Sequence, residues 1–185
     1  MVALARSGKR VVRLKGGDPL VFGRAGEEIA ACAAAGIPVE IIPGITAALG
    51  AAAGIGASLT HRRHARRLQF VTAHSKEGRL PDDLDWKALA DPTATTAVYM
   101  GKAVLGAFAD NLLAAGIDPD TPSVIVENAT RPDERVIRST VARMAAIVAD
   151  GGLEGPCVML IGAALSEAPG QHDQGAQLLA ALLHE

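Results

Sequence analysis

The feature that most constrains the fold is a strand-like run that leads into a glycine turn and then into a helix. Residues 10–14, RVVRL, form a short β-branched run of the kind found in buried strands. The turn KGGDP follows at residues 15–19, and the helical sequence GEEIAACAAAG occupies residues 26–36. Its two glutamates lie in the first turn, where the helix dipole favours negative charge, and its last glycine is placed to end it. A strand followed closely by a helix is the repeating element of α/β folds with parallel strands.

The same order repeats once more and then stops. Residues 37–44, IPVEIIPG, predict a second strand, and residues 45–54, ITAALGAAAG, predict a helix of small residues. Two strands and two helices bury too little surface to be stable alone. We therefore expect that this first half docks entirely on the rest of the chain or that strands of this half are missing. The abrupt start of the pattern after Met1 favours missing strands.

A basic stretch separates this first half from a longer second one. Residues 59–67, LTHRRHARR, lack periodicity, which predicts a linker and a domain boundary. Strand-like runs (LQFVTAH, TATTAVYM, PSVIVENAT, RVIRST and GPCVMLIGAAL) then alternate with helical sequences (DWKALA, KAVLGAFADNLLAAG and VARMAAIVADGG). The excess of strands over helices predicts a mixed sheet. We predict a partial N-terminal α/β domain at residues 1–62, a C-terminal α/β domain at residues 63–165, and a tail at residues 166–185 that is compatible with a helix.

Composition excludes several classes of function. Apolar residues make up 49% of the 185 and the net charge is −2, which suits a globular protein and not a general nucleic-acid binder. No apolar run is long enough to span a bilayer, and residues 1–10 do not form a signal peptide, so the expected location is cytoplasmic. Cys32 and Cys157 lie far apart without metal-ligand spacing, which predicts two buried packing residues and no metal site.

Residues at the end of the first predicted strand carry candidate chemistry. Gly16 and Gly17 lie where open α/β sheets bind ligands, and glycine there lets the main chain approach a ligand closely. The Asp18 carboxylate could meet a ligand amine, a ribose hydroxyl or a helix N-terminus. A plain strand-to-helix turn uses the same residue types, so the local chemistry leaves both interpretations open.

Each remaining candidate also has a structural alternative. Arg24 and Glu27 are three residues apart, so they share a helical face if the helix starts early, and a surface ion pair is the structural alternative. Thr46 is suited to capping a helix or to touching a ligand at the start of one. Met100 ends a predicted strand, where it could line a cofactor pocket, although core packing is the commoner role for methionine. Arg62 lies in an arginine-rich run that suits bidentate capture of carboxylate or phosphate, or in a solvated linker.

Four segments taken together are more specific than any one of them. The sequence resembles the uroporphyrinogen-III C-methyltransferases, within the wider group of tetrapyrrole methylases, in the order and approximate spacing of VVRLKGGDPLVFGRAGEE, PGITAALGAAAGIGASLTHR, VYMG and VENAT. The resemblance runs from about Gly8 to Leu165. It implies an α/β fold of two domains, the first of them incomplete here, with a cleft between the domains that holds S-adenosyl-L-methionine.

The resemblance also assigns site residues by position. The positions that match cofactor-binding residues are Gly16, Gly17, Asp18, Val21, Thr46, Ala47, Met100 and Ala129. Ala129 stands where many relatives have glycine, and its single methyl group leaves room for a main-chain contact. The positions that match tetrapyrrole-facing residues are Arg24, Glu27, Arg62 and Met100. Arg24 and Glu27 are the predicted catalytic pair.

The reaction implied by the resemblance is the S-adenosyl-L-methionine-dependent C-methylation of uroporphyrinogen III to precorrin-1 and precorrin-2, with S-adenosyl-L-homocysteine as the second product. An arginine-lined site in an otherwise acidic protein suits a substrate that carries eight carboxylates. Positioning of the methyl group against a pyrrole carbon is the main contribution expected of the protein, followed by proton loss to a base or to water. A homodimer is also implied, and neither nucleic acid nor a membrane is an expected partner.

One departure from the relatives bears on both fold and function. Their opening strand, a loop GxGPGDPxLLT, a second strand with an aspartate and a turn with a lysine have no counterpart in this sequence. We expect residues 11–14 and 39–42 to be separated by a gap, rearranged, or completed by another chain. Two alternatives therefore stay open beside a truncated uroporphyrinogen-III methylase. One is a methylase of another tetrapyrrole intermediate; the other is a non-catalytic remnant that binds S-adenosyl compounds or tetrapyrrole, or only dimerises.

Overall fold

A five-stranded mixed sheet organises the second half of the chain in the computed structural model, which describes residues 1–74, 78–149 and 153–167. The strands are β1 (Arg67–Thr72), β2 (Ala94–Tyr99), β3 (Pro122–Glu127), β4 (Arg135–Thr140) and β5 (Cys157–Ile161). Their spatial order is β1-β2-β5-β3-β4, with β1 and β2 parallel and the other neighbours antiparallel. The prediction of a mixed sheet in this half is confirmed.

Helices cover the central strands and complete the core of this half. They are α4 (Trp86–Leu89), α5 (Leu105–Ala114) and α6 (Met144–Ala149). Val98, Ile125 and Met159, one from each central strand, are buried in the same cluster as Phe108 of α5. The Phe108 ring meets the Trp86 ring edge to face, with centroids 5.2 Å apart. Every residue of β2 is buried, as expected of a central strand that is covered on both faces.

Three helices lie closer to the start of the chain, and a glycine ends the second of them as predicted. They are α1 (Val2–Arg6), which the sequence did not predict, α2 (Ala25–Ala34) and α3 (Ala47–Gly54). Gly36 follows α2 with φ +68°, and its N–H donates to the Ala33 carbonyl (3.0 Å). The next N–H, of Ile37, donates to the Cys32 carbonyl (2.9 Å). This Schellman arrangement needs a left-handed residue, which glycine supplies without strain.

The two strands predicted for the first half are wrong. Residues 10–14 and 37–44 belong to no strand, and the side chains of Val12 and Leu14 are 81% and 84% exposed. A β-branched run becomes a strand only where a neighbour pairs with its N–H and C=O groups. Within the described part of the chain, residues 10–14 and 38–42 make no backbone-to-backbone hydrogen bond. No ladder of backbone hydrogen bonds joins these two segments, which agrees with the expectation that they do not pair directly.

The chain divides into two units, Met1–Leu49 and Gly50–Glu185, and the domain boundary expected after residue 62 stays a prediction. Cys32 is buried as predicted, whereas Cys157 is only half-buried against the core, and this burial raises the pKa of its thiol. Most of the predicted tail, residues 168–185, lies outside the described residues. Of the helices that are described, none has the length and apolar character needed to cross a membrane.

Candidate cofactor and substrate site

The predicted cofactor loop is a turn whose main chain is open on one side. A Cβ atom added to Gly16 would meet no described atom within 4 Å. Gly17 has φ +74°, a left-handed conformation that residues with a side chain rarely adopt. On its other side the turn packs against a second turn, because a Cβ atom on Gly44 would collide with the Gly17 carbonyl oxygen. Glycine at position 44 therefore allows the two turns to meet.

Asp18 joins these two turns through its carboxylate. The Leu20 N–H donates to Oδ1 (2.8 Å), and the Gly44 N–H donates to Oδ2 (3.1 Å). The Gly44 N–H, and after it the Leu20 N–H, lower the pKa of Asp18 because they bind its charged form. Half-buried Val21 donates its N–H to the Asp18 carbonyl (3.3 Å). The carboxylate thus orders the loop, and its contact with a ligand stays a prediction.

Thr46 and Ala47 lie against the same glycine turn. An added Cβ atom on Gly17 would be 3.6 Å from Thr46 Cα and 3.8 Å from the Ala47 nitrogen. Thr46 is buried and directly precedes α3, the position from which a side chain caps a helix. Ala47 is exposed as the first residue of α3. The first unit therefore brings together most of the cofactor residues predicted for it around one pair of turns.

Arg24 and Glu27 form a two-pronged ion pair at the start of α2. The distances are 2.9 Å from Nε to Oε1 and 2.6 Å from Nη2 to Oε2, and both side chains are exposed. Glu27 raises the pKa of Arg24, by its hydrogen bond and then by its charge, so the guanidinium stays positively charged. Arg24 precedes α2 with a left-handed backbone (φ +55°), so the two residues do not share a helical face, but the surface ion pair is observed. Contact with a tetrapyrrole and a catalytic role stay predictions.

The sequence patterns did not reveal the role of Lys15. Its Nζ donates to the Gly23 carbonyl and lies 2.7 Å from Glu28 Oε2, and its side chain is 13% exposed. Arg13 Nε approaches Glu28 Oε1 at 3.0 Å. Lys15 and then Arg13 lower the pKa of Glu28. The available signal is the position of this lysine directly before the two glycines of the turn.

In the second unit, Met100 and Ala129 follow strands that end at the same edge of the sheet. β1, β2 and β3 point in one direction, and β5 lies between β2 and β3. Because neighbouring strands are about 4.8 Å apart, the two residues lie roughly 10 Å apart along this edge. Met100 has φ +55° and is 49% exposed, while the adjacent Gly101 is buried against Met159. The core-packing alternative is therefore wrong for Met100.

A buried glutamate fixes the turn that carries Ala129. Glu127 ends β3 and is 2% exposed. Its Oε1 accepts hydrogen bonds from the N–H groups of Gly155 (2.5 Å) and Glu154 (2.6 Å), and its Oε2 accepts one from Arg135 Nη1 (3.0 Å). The Gly155 N–H makes the largest contribution to a lowered pKa of Glu127, despite burial. Glu127 was not among the residues predicted from the sequence, where its signal is an acidic side chain at the end of an apolar run.

The neighbours of Ala129 have an unusual backbone. Asn128 and Thr130 have φ +53° and +66°, both in the left-handed region although neither is glycine. The Asn128 N–H donates to the Pro156 carbonyl (2.9 Å), and the Thr130 N–H donates to Glu134 Oε2 (2.6 Å). Such conformations persist where surrounding contacts fix them, and they cluster at functional sites.

Residues 61–67 contain a tight turn rather than a plain linker. His61 and Ala65 exchange backbone hydrogen bonds of 2.7 and 2.9 Å, and the rings of His61 and His64 stack with centroids 4.7 Å apart. Arg62 is exposed at this turn. Its exposure allows the predicted contact with a substrate carboxylate, which stays a prediction.

Comparison with known proteins identifies the family. The family described as Tetrapyrrole (Corrin/Porphyrin) Methylases matches residues 1–145. This chain belongs to the tetrapyrrole methylase family. Siroheme synthase 1 of Aeromonas hydrophila is 47% identical over 162 residues, which cover 88% of this chain and 34% of that protein. The siroheme synthase of Gluconacetobacter diazotrophicus is 47% identical over 163 residues, again 88% of this chain and 34% of that protein. The chain thus spans about a third of the length of the curated relatives it matches.

Solved structures show the same fold for this tetrapyrrole methylase. A uroporphyrin-III C-methyltransferase of Thermus thermophilus, solved with S-adenosylhomocysteine, has a TM-score of 0.75 at 35% identity, covering 89% of this chain and 71% of that one. A cobalt-precorrin-4 methyltransferase of cobalamin biosynthesis has a TM-score of 0.80 at 30% identity, covering 89% of this chain and 68% of that one. The predicted tetrapyrrole methylase-like α/β fold class and the resemblance to the uroporphyrinogen-III C-methyltransferases are both confirmed, although the two strands predicted for the first half do not form.

Proposed function

We propose that this tetrapyrrole methylase transfers methyl groups from S-adenosyl-L-methionine to carbon atoms of uroporphyrinogen III. The products would be precorrin-1 and then precorrin-2, with S-adenosyl-L-homocysteine released. The identity to siroheme synthases and to a uroporphyrin-III C-methyltransferase supports this substrate. The observation that carries the proposal is the open glycine turn at residues 16–18, held in place by the Asp18 carboxylate.

The residues of this chain fit the cofactor. The bare main chain at Gly16 leaves room for a ligand, and the left-handed Gly17 beside it needs no side chain. Exposed Met100 and the rigid turn at Ala129 lie at the carboxyl edge of the sheet, where ligands of α/β proteins bind. We propose as cofactor ligands Gly16, Gly17, Asp18, Val21, Thr46, Ala47, Met100 and Ala129.

In the proposed reaction, side chains of the first unit act by charge and by orientation. When bound, S-adenosyl-L-methionine supplies an electrophilic methyl group. Arg24 remains a cation because Glu27 raises its pKa, so it attracts substrate carboxylates and does not accept a proton at neutral pH. The Glu27 carboxylate, oriented by both prongs of Arg24, is the proposed proton acceptor.

Two residues of the second unit complete the proposed substrate contacts. The exposed guanidinium of Arg62 can bind a carboxylate in two-pronged fashion, which gives orientation as well as affinity. Met100 offers a soft, partly exposed thioether to the tetrapyrrole. The homodimer and the cytoplasmic location expected from the sequence belong to the same proposal.

The direct test is methyl transfer. The purified chain is supplied with S-adenosyl-L-methionine labelled in its methyl group and with freshly reduced uroporphyrinogen III, and label is followed into the methylated products. Label in precorrin-1 and precorrin-2 is expected, and Glu27→Gln should lower the rate without lowering affinity for S-adenosylhomocysteine. Cofactor binding without transfer would support the non-catalytic alternative.

A second substrate in the same assay distinguishes a uroporphyrinogen-III methylase from a methylase of another tetrapyrrole intermediate. The TM-score to the cobalt-precorrin-4 methyltransferase makes a later intermediate a second candidate. The same assay with cobalt-precorrin-4 should give no transfer. Transfer to that compound, together with none to uroporphyrinogen III, would replace the proposed substrate.

A further inference from the structure

The ammonium group of Lys15 holds a strained turn of the first unit. This turn comprises residues 22–24 and leads into α2. Its outer residues, Phe22 and Arg24, have φ +51° and +55°, a region that residues other than glycine rarely adopt. Its central residue is Gly23, where an added Cβ atom would lie 2.5 Å from the Pro19 carbonyl oxygen. Lys15 donates to the carbonyl of this central residue.

The surroundings of Lys15 distinguish it from a solvated surface lysine. Its side chain is 13% exposed, compared with 56% for Arg13, the other cation on Glu28. Lys15 Nζ reaches both Glu28 Oε2 (2.7 Å) and the Gly23 carbonyl. Arg13 reaches the same glutamate, but its other hydrogen bond is to the carbonyl of Leu14, away from the turn. Only one of the two cations therefore contacts the turn.

A left-handed backbone on both sides of a glycine is stable only where neighbouring contacts determine it. The Arg24 backbone conformation sets the direction in which its guanidinium leaves the start of α2, and with it the placement of the pair with Glu27. Lys15 is also the residue directly before Gly16. One side chain thus links the open glycine turn to the turn that carries the ion pair.

We infer that Lys15 is a positioning residue for substrate recognition, which acts by holding the Gly23 carbonyl so that Arg24 and Glu27 face the tetrapyrrole. The inference rests on the proposed function, because it gives the ion pair a tetrapyrrole partner. Lys15 itself need not touch the substrate. Loss of the Lys15 ammonium group should leave the main chain at Gly16 open and should alter the turn at residues 22–24.

The test compares Lys15→Met with Arg13→Met, since each removes one cation from Glu28 and only the first removes the contact with Gly23. The probe is uroporphyrin III, the oxidised and fluorescent form of the proposed substrate, with S-adenosylhomocysteine titrated separately by calorimetry. Lys15→Met should weaken uroporphyrin III binding by roughly tenfold or more, because a misplaced orienting group loses most of its effect. Arg13→Met should change it by less than about threefold, as an exposed pair contributes little.

A merely structural role would lower both affinities together, whereas a positioning role leaves S-adenosylhomocysteine affinity within about threefold, a difference of roughly 0.7 kcal/mol. Lys15→Arg keeps a cation that can donate to the Gly23 carbonyl, and it should recover part of the lost uroporphyrin III affinity. This second variant also keeps the ion pair with Glu28, so it is compared directly with the wild type if Lys15→Met does not fold. A uroporphyrin III affinity of Lys15→Arg more than about tenfold below that of the wild type would then count against the inference.

Arg24→Ala separates failure of this inference from failure of the proposed function. If Arg24→Ala weakens uroporphyrin III binding while Lys15→Met behaves like Arg13→Met, Lys15 has no positioning role and the proposed function stands. If neither Arg24→Ala nor Lys15→Met weakens binding, the ion pair does not face a tetrapyrrole. The inference then falls together with that part of the proposed function.

Discussion

The buried carboxylate of Glu127 offers the sharpest test of how the second unit holds the edge of its sheet that carries Met100 and Ala129, two proposed ligands. Oε1 accepts two short hydrogen bonds from the N–H groups of Glu154 and Gly155, and Oε2 accepts one from Arg135. These contacts fix the loop before β5 against the end of β3, beside the proposed cofactor contact at Ala129. Glu127→Ala removes the acceptor and leaves all three donors without this partner.

The size of the effect follows from those contacts. A hydrogen bond to a charged group contributes about 1.5–3 kcal/mol, so the two backbone bonds together give roughly 3–6 kcal/mol. The pair with Arg135 adds little, because the arginine side chain is half exposed and a pair screened by water contributes about 0–1 kcal/mol. Glu127→Gln keeps one amide oxygen for the N–H groups and loses the charge, so about 1–2 kcal/mol is expected.

The measurement is reversible unfolding in urea at pH 7 for both variants, with Glu154→Gln as control. The Glu154 residue is exposed, and its replacement by glutamine should stay within about 0.5 kcal/mol of the wild type. An unfolding free energy of Glu127→Ala within about 1 kcal/mol of the wild type would refute this account of the loop.

The same carboxylate predicts a pH dependence. Its pKa is lower in the folded state than in the unfolded chain, because the Gly155 and Glu154 N–H groups bind the charged form. The stabilisation is therefore fully present above the unfolded value near 4.3–4.5 and is lost as the pH falls through the folded value. The difference in unfolding free energy between wild type and Glu127→Gln should shrink as the pH is lowered from 7 to 3. A constant difference would contradict the assignment.

Three further substitutions address two proposed ligands and the packing of the glycine turn. Arg62→Ala should weaken uroporphyrin III binding by about tenfold, because carboxylate capture is lost, and should leave S-adenosylhomocysteine affinity nearly unchanged. Equal loss of both affinities would contradict the role of Arg62. Asp18→Ala should weaken S-adenosylhomocysteine binding and leave uroporphyrin III affinity nearly unchanged, because the turn loses its hydrogen bond to Gly44. Unchanged S-adenosylhomocysteine affinity would remove Asp18 from the cofactor site. Gly44→Ala should destabilise the fold by roughly 1–3 kcal/mol, because the added methyl group collides with the Gly17 carbonyl. The control is Gly26→Ala, whose added methyl group meets open space and should not lower the melting temperature.

The second half of the fold could be predicted from the sequence because each of its strands has a pairing partner within the same half. Each strand-like run there finds a neighbour, as the ladder between β3 and β5 illustrates. Gly36 and Gly116 also mark helix ends by local conformation alone, with φ +68° and +91°. The apolar runs at residues 10–14 and 37–44 looked equally strand-like, but pairing is a property of two segments and cannot be read from one.

The residues that sequence reasoning missed act over long separations. Glu127 binds N–H groups at positions 154 and 155, and an acidic residue at the end of an apolar run does not by itself predict that contact. Lys15 likewise acts on a carbonyl eight residues away. For Met100 the residue type alone is misleading, because methionine most often packs in the core. Its left-handed backbone and the buried Gly101 beside it leave the side chain partly exposed.

Binding of the cofactor at the glycine turn is tested by a calorimetric titration of the chain with S-adenosylhomocysteine, performed on wild type and on Gly16→Ala. The structure shows open space where the new methyl group would go, so the variant should melt at the wild-type temperature. If the glycine turn receives the cofactor there, the methyl group intrudes on the ligand, and affinity should fall by about tenfold or more. Saturable binding to the wild type that is lost in the variant is the predicted result. No binding to the wild type, or equal binding to both proteins, would contradict binding of the cofactor at this turn.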